Sequence, residues 1–221
     1  MIISHKYKFI FIKTRKTAGT SIEIALSKIC GRNDIITPIS NEDLRKLNSG
    51  RPAQNYDIDI YSLDPAYSNR RRGFFNHMSA LGMKNNLPEK IWLNYFKFCF
   101  ERHPYEKVVS HFYFLGGETR FNNIDSYLNS KEYKRLRSFD LYSINGKVKV
   151  DKIFKYEEME SSLSDIVNIV GLKQPIDISN IKAKSNYRPN RIPAFQVLED
   201  HQKQKIMKDF EEEFKLFGYR V

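Results

Sequence analysis

The chain has 221 residues, 41% hydrophobic, 14% aromatic and 29% charged, which suits one domain with a real core and excludes wholesale disorder or a low-complexity class. Lys and Arg number 37 against 26 Asp and Glu, a net charge of +11, favouring polyanionic partners such as nucleic acid, phosphorylated cofactors or acidic glycans without choosing among them. No run reaches the roughly 20 apolar residues of a membrane span, and the first residues lack a signal peptide's apolar stretch, so a soluble, cytoplasmic protein is expected.

Residues 8–13 form a nearly continuous apolar run, as in a parallel strand buried on both faces. After a short loop, residues 20–29 predict a helix, with Ile22, Ala25, Leu26 and Ile29 at the 3.6 period and Thr20 with Glu23 as a capping box. Residues 49–73 have little periodicity, contain Pro52 and Pro65 and end in Arg70-Arg71-Arg72, which reads as an exposed excursion. Residues 95–102 predict a second strand, running through His103-Pro104 into a helix near 105–115. Asn145-Gly146 between 141–144 and 147–150 signals a peripheral hairpin. Residues 152–156 read as a core strand and 158–170 as a helix closed by Gly171. A single last helix over 197–217 would place Leu198, Ile206, Phe210, Phe214 and Phe217 near one stripe, packed on the sheet's flank.

Strands each followed by helices imply an α/β fold: a mainly parallel central sheet flanked by helices, with a peripheral β-hairpin and ligands at the strands' carboxyl ends. The whole chain, 1–221, reads as one domain, with 33–75 a variable excursion suited to substrate binding. Cys30 and Cys99 are the two cysteines, each in an apolar stretch; they exclude a disulfide framework or a four-thiolate zinc site and read as buried free thiols.

The loop Thr14-Arg15-Lys16-Thr17-Ala18-Gly19-Thr20-Ser21 combines a small-residue turn, amides at a helix start, hydroxyls and cations, the parts of a phosphate or sulfate site. Lys16 precedes Gly19, whereas a nucleotide-triphosphatase P-loop puts its lysine after the second glycine. Taken alone, the loop also fits an ordinary basic turn.

With this loop the chain resembles the sulfotransferases that use 3′-phosphoadenosine 5′-phosphosulfate (PAPS), closest to the glycan O-sulfotransferase branch of heparan and chondroitin type. Their 5′-phosphosulfate loop reads approximately P-K-T-[AG]-[GS]-T-S, which Lys16 to Ser21 match; Arg15 replaces the usual proline and adds a cation. Their 3′-phosphate motif is an Arg-x-Pro at a strand end with a serine further into the helix, reproduced by Arg102-His103-Pro104 and Ser110; Lys107 stands where many relatives have arginine. Tyr156-Glu157 and residues 210–219 also resemble the family's pattern. Ala183-Lys184-Ser185-Asn186 is similar to the segment that closes over the cofactor, though it reads equally as a basic surface loop. Arg188 and Arg191 read as substrate contacts or as surface charge.

The resemblance implies PAPS as donor, no metal, a P-loop-like sulfotransferase fold, and sulfuryl transfer to a hydroxyl of a carbohydrate. The acceptor is a small molecule or glycan, suited by the basic charge to being anionic, and no nucleic acid is involved. Lys16 then neutralises the departing 5′-phosphate, Arg15, Thr17, Ala18, Gly19, Thr20 and Ser21 complete its cradle, Arg102 and Ser110 hold the 3′-phosphate, and Lys184 and Ser185 cover the donor. His77, between the two motifs, is the expected general base, since an imidazole with a pKa of about 6.5 takes a proton at neutral pH. Against this, His77 would cap the helix near Met78 or satisfy a buried carbonyl. Glu101 or Glu157 could be the base instead; His103, at a helix cap, and His111, within an amphipathic helix, are less suited. The competing functions are an atypical P-loop small-molecule kinase and a basic nucleic-acid-binding protein.

Overall fold

The structure is a computed structural model and describes residues 1–57, 73–181, 187–189 and 192–219. Its strands are β1 (Ile2–Ser4), β2 (Phe9–Ile12), β3 (Ile35–Ile36), β4 (Phe96–Glu101), β5 (Ser143–Ile144), β6 (Lys147–Val148) and β7 (Lys152–Lys155). Five of them form one sheet in the order β3-β1-β2-β4-β7. β2, β4 and β7 pair in parallel, and β1 runs against both its neighbours. The sheet is therefore mainly parallel, as the sequence predicts.

The helices are α1 (Gly19–Ile29), α2 (Glu42–Leu47), α3 (Ala80–Asn86), α4 (Glu89–Asn94), α5 (Pro104–Phe114), α6 (Gly117–Phe121) and α7 (Ile124–Leu128). They continue with α8 (Lys131–Lys134), α9 (Phe139–Tyr142), α10 (Met159–Val170), α11 (Ala194–Val197), α12 (Asp200–Asp209) and α13 (Glu211–Phe217). No described helix is long and apolar enough to cross a membrane.

The apolar run of β2 is continuous because both sheet faces are covered. Phe9 and Phe11 share a cluster with Phe98, Phe154, Ile22 and Ile166, under α1 and α10. Ile10 and Ile12 share another with Cys99, Met83, Trp92 and Tyr142, under α3, α4 and α9. Cys30 and Cys99 are buried free thiols.

Four expectations need correction. Thr20 and Glu23 form no capping box: the residue before α1 is Ala18, with no side-chain cap. Glu23 is instead buried, accepting from Lys13 Nζ at 2.7 Å and Arg45 Nη2 at 3.4 Å, because buried cations hold a carboxylate more strongly than one backbone amide does. The last helix is not continuous but breaks at Leu198 and Phe210 into α11, α12 and α13, with a Glu199–Gln202 capping box starting α12. Nor does it flank the sheet: Leu198, Ile206, Phe210 and Phe214 pack on Tyr105, Val108 and Phe112 of α5. Leu141 and Tyr142 belong to α9, so the hairpin is shorter than predicted, though its turn has the left-handed Asn145 (φ 52°) and Gly146 (φ 73°) that the motif demands.

The stretch 33–57 contributes β3 and α2, and Gln54 exchanges backbone hydrogen bonds of 3.0 Å with Ile36. Arg45 on α2 is fully buried. The arginines at 70–72 lie outside the described residues.

Candidate functional site

β2 and β4 are parallel neighbours, with Ile12 opposite Cys99, so the loop leaving β2 and Arg102 leaving β4 emerge side by side. The Thr14 hydroxyl donates to the Phe100 carbonyl and stitches the loop to β4; Thr14 Oγ1 also lies 2.9 Å from Thr17 Oγ1. The loop then turns through two left-handed residues, Lys16 (φ 60°) and Ala18 (φ 56°). Gly19 follows because a Cβ there would stand 2.8 Å from Lys13 Cγ. The first α1 bond runs from the Ile22 amide to the Ala18 carbonyl at 3.1 Å. The amides of Gly19, Thr20 and Ser21 are thus left at the helix's positive end, with no intrahelical acceptor and no capping side chain.

These residues line a cavity of about 630 Å³. Arg15, Lys16, Thr17, Ala18, Gly19, Thr20 and Ser21 share its wall with His77, Arg102 and Ser110. The two sequence motifs and the histidine between them therefore meet in one space; Lys184, Ser185 and Arg191 lie outside the described residues. Lys13, Arg15, Lys16, Arg102 and Arg188 face it as cations, and no Asp or Glu is among the described lining residues. Three of the eight described non-glycine residues with left-handed φ, Lys16, Ala18 and His77, are on this wall, where strain of about 1–3 kcal/mol per residue is kept for function.

The Arg102 guanidinium lies 4.3 Å from the Tyr156 ring centroid. Its Nη2 donates to Glu106 at 3.2 Å, and its Nε is buried with no hydrogen-bond partner. Lys107 does not reach the cavity. It donates to both Glu101 oxygens at 2.6 and 2.8 Å in a fully buried pair. Glu101 is therefore not available as the base; burial pushes its carboxyl up to about 7 against the pull of Lys107. Glu157 is also spent elsewhere, accepting the His103 amide at 2.8 Å beside the start of α5. His103 is the N-cap of α5, as expected.

His77 caps no helix, because Ser79 is the N-cap of α3. Its Nδ1 lies 2.9 Å from the Lys13 carbonyl. A carbonyl only accepts, so Nδ1 carries the hydrogen and Nε2 of the neutral ring is the bare nitrogen. Burial above all, then the charges of Lys13 and Arg15, bring its pKa down to about 3, so the expectation of an imidazole near 6.5 is corrected: the ring is neutral at pH 7 but a much weaker base than an ordinary histidine. His111, which sequence reasoning passed over, also lines the cavity, with Nδ1 2.7 Å from the Tyr127 hydroxyl. Burial, then Lys16 and Arg15, lower it to about 4. Phe114 was missed too: Lys16 Nζ sits 4.0 Å from its ring centroid. The signal was available, since Phe114 is one helical turn beyond Ser110 on the same face of α5.

A sequence model of the sulfotransferase family matches residues 1–220. The chain belongs to the sulfotransferase family. It is also similar to an uncharacterized protein of Archaeoglobus fulgidus, 32% identical over 117 residues that make up 50% of this chain and 98% of that protein. No solved structure matches it significantly. As a sulfotransferase it is an enzyme of sulfuryl transfer, and the kinase reading gives way. Among the described residues the cavity is walled by cations and amides without carboxylates, electrostatics that suit an anionic group.

Proposed function

We propose that this sulfotransferase takes its sulfuryl group from PAPS and delivers it to a hydroxyl of a carbohydrate that itself bears negative charge. The observation that carries the reading is the shared cavity of the Lys16 loop and the Arg102–Ser110 pair: a nucleotide phosphorylated at both ends needs two anion cradles facing one space. The residues fit such a group. Arg102 offers a buried, unpartnered Nε, and α1 offers uncapped amides. Bound there, PAPS supplies an activated sulfuryl group on a phosphate leaving group.

The protein's part is positioning, charge and one proton. The amides and hydroxyls from Thr17 to Ser21 hold the 5′-phosphate, and Lys16 neutralises charge growing on the bridging oxygen. Arg102 and Ser110 hold the 3′-phosphate; Lys184 and Ser185 are assigned to covering the donor by resemblance. His77 takes the acceptor's proton on Nε2, while its Nδ1–H bond to the Lys13 carbonyl fixes the tautomer; the role requires the bound anionic donor to offset the Lys13 and Arg15 charges that, with burial, hold its pKa low. Arg15 faces the acceptor's charge. Burial and then Arg135 both lower its pKa, so an anion beside it relieves that strain on its protonated form.

Calorimetry with the product adenosine 3′,5′-bisphosphate tests the donor. Wild type should bind it, Lys16→Ala and Arg102→Ala should weaken it, and no binding below millimolar concentration would overturn the reading. His77→Ala should keep that binding and lose turnover by roughly 10²–10⁴-fold. Radiolabelled transfer to neutral and to carboxylated or sulfated sugars then identifies the acceptor.

A further inference from the structure

Glu106, in the first turn of α5, is absent from both sequence motifs, yet it joins three parts of the site. Its Oε2 accepts from Arg102 Nη2 at 3.2 Å and from Arg188 Nη1 at 2.9 Å. Its Oε1 accepts the Ala194 amide at 2.6 Å. Arg188 also donates to the Ile192 carbonyl, so Arg188 and Ala194 are both fastened to α5 through this carboxylate. Both arginines line the cavity and Glu106 does not.

Two guanidiniums brought together repel each other, and the carboxylate oxygen between them offsets that repulsion before any ligand arrives. Tyr156 fixes the plane of Arg102 from one side. With Nη2 engaged by Glu106, the buried Nε of Arg102 is left without a partner, which suits a multiply charged oxyanion able to accept from both arginines.

We propose that Glu106 is a positioning residue: it holds Arg102 and Arg188 as one clamp for a phosphate monoester, the donor's 3′-phosphate, and also anchors the Ala194 amide at the start of α11. This rests on the PAPS reading above. Glu106 does not touch the donor; it acts through the two arginines. A carboxylate that served only to anchor α11 would affect all ligands of the cavity alike.

Adenosine 3′,5′-bisphosphate and adenosine 5′-monophosphate differ only in the group at issue, so competition binding with both separates the roles. Glu106→Gln should lower affinity for the bisphosphate roughly tenfold and leave the monophosphate within about twofold, because the two arginines are no longer held in register for the 3′-phosphate. Arg188→Gln should show the same discrimination, and the double variant should lose no more than the worse single, because the two side chains act as a unit. Equal weakening of both nucleotides, no weakening of either, or additive losses would overturn the proposal. Should Glu106→Gln not fold, Arg188→Gln alone decides between these outcomes by the same nucleotide comparison. Wild type that binds the two nucleotides equally would remove the PAPS reading itself, a failure distinct from a clamp without Glu106.

Discussion

Buried charge serves two ends in this molecule, and the contrast separates fold from function. Inside, cations meet carboxylates: Lys107 with Glu101, and Lys13 and Arg45 with Glu23, all with side chains at most 3% exposed. Around the cavity the described wall has cations and no carboxylate of its own, and Arg102 and Arg188 share one carboxylate, Glu106, behind it. Charges matched in the core hold elements together, whereas a wall with excess cations has the electrostatics that suit an anion. A basic side chain thus has opposite consequences five positions apart, as Arg102 and Lys107 show.

The sharpest way to break this contrast is to truncate one residue of each kind. Lys107→Ala strands the Glu101 carboxyl in the core and should destabilise the protein by about 3–5 kcal/mol, read as a fall in the denaturation midpoint. Arg102→Ala should leave that midpoint nearly unchanged and lose nucleotide affinity. If Arg102→Ala unfolds the protein, or Lys107→Ala spares it, the division fails.

Glu23 gives the interior class a pH signature. Burial raises its pKa, but the Met1 amino group, which burial lowers to about 5 and which is therefore charged in acid, together with Lys13 and Arg45 outweighs burial and holds it at about 2, below the ordinary 4.5. A depressed carboxylate contributes stability present above 4.5 and lost as pH falls through about 2. The amount is on the order of 3 kcal/mol. Urea titrations should show a shallower loss for Glu23→Gln in that window than for wild type. His77 and His111, also held low, must charge on unfolding in acid and contribute the same direction of loss in both proteins. Identical slopes would mean that the Glu23 cluster carries no pH dependence.

Sequence carried the parts of this architecture that are local. The βα units were legible because β2 is apolar on both faces and α1 keeps its period, and the two motifs that meet at the cavity were legible because each sits on a contiguous stretch after a strand. Glu23 was misread because its local pattern with Thr20 competes with Lys13 and Arg45, which only tertiary packing brings to it. The burial of Lys107 on Glu101 was illegible for the same reason: its direction is set by the packing of α5, and nothing in Arg102-His103-Pro104 announces it. The break before α12 had a local signal, Glu199 with Gln202, which the longer hydrophobic stripe overrode.

The cavity class has its own titration. His77 should remain neutral in an NMR titration to below pH 5, because burial and the Lys13 and Arg15 charges hold it near 3. Arg15→Ala should raise that value by removing one of the like charges. A wild-type imidazole titrating at an ordinary 6.5 would mean that the histidine is solvated rather than set into the wall.

The smallest effect concerns backbone rather than charge. Ala18 holds φ 56° at the N-cap of α1, a conformation that costs a residue with a Cβ about 1–2 kcal/mol and glycine almost nothing. Ala18→Gly removes that strain but adds freedom to the unfolded chain worth about 0.5–1 kcal/mol. The net is a gain of about 0–1.5 kcal/mol, small beside the loss from Lys107→Ala, with nucleotide affinity unchanged because the amides keep their places. Ala18→Val should move the other way, since a β-branched side chain tolerates the left-handed region least. A valine that melts no lower than alanine would show that the loop relaxes out of this turn, and the amide cradle at the start of α1 would then not be preformed.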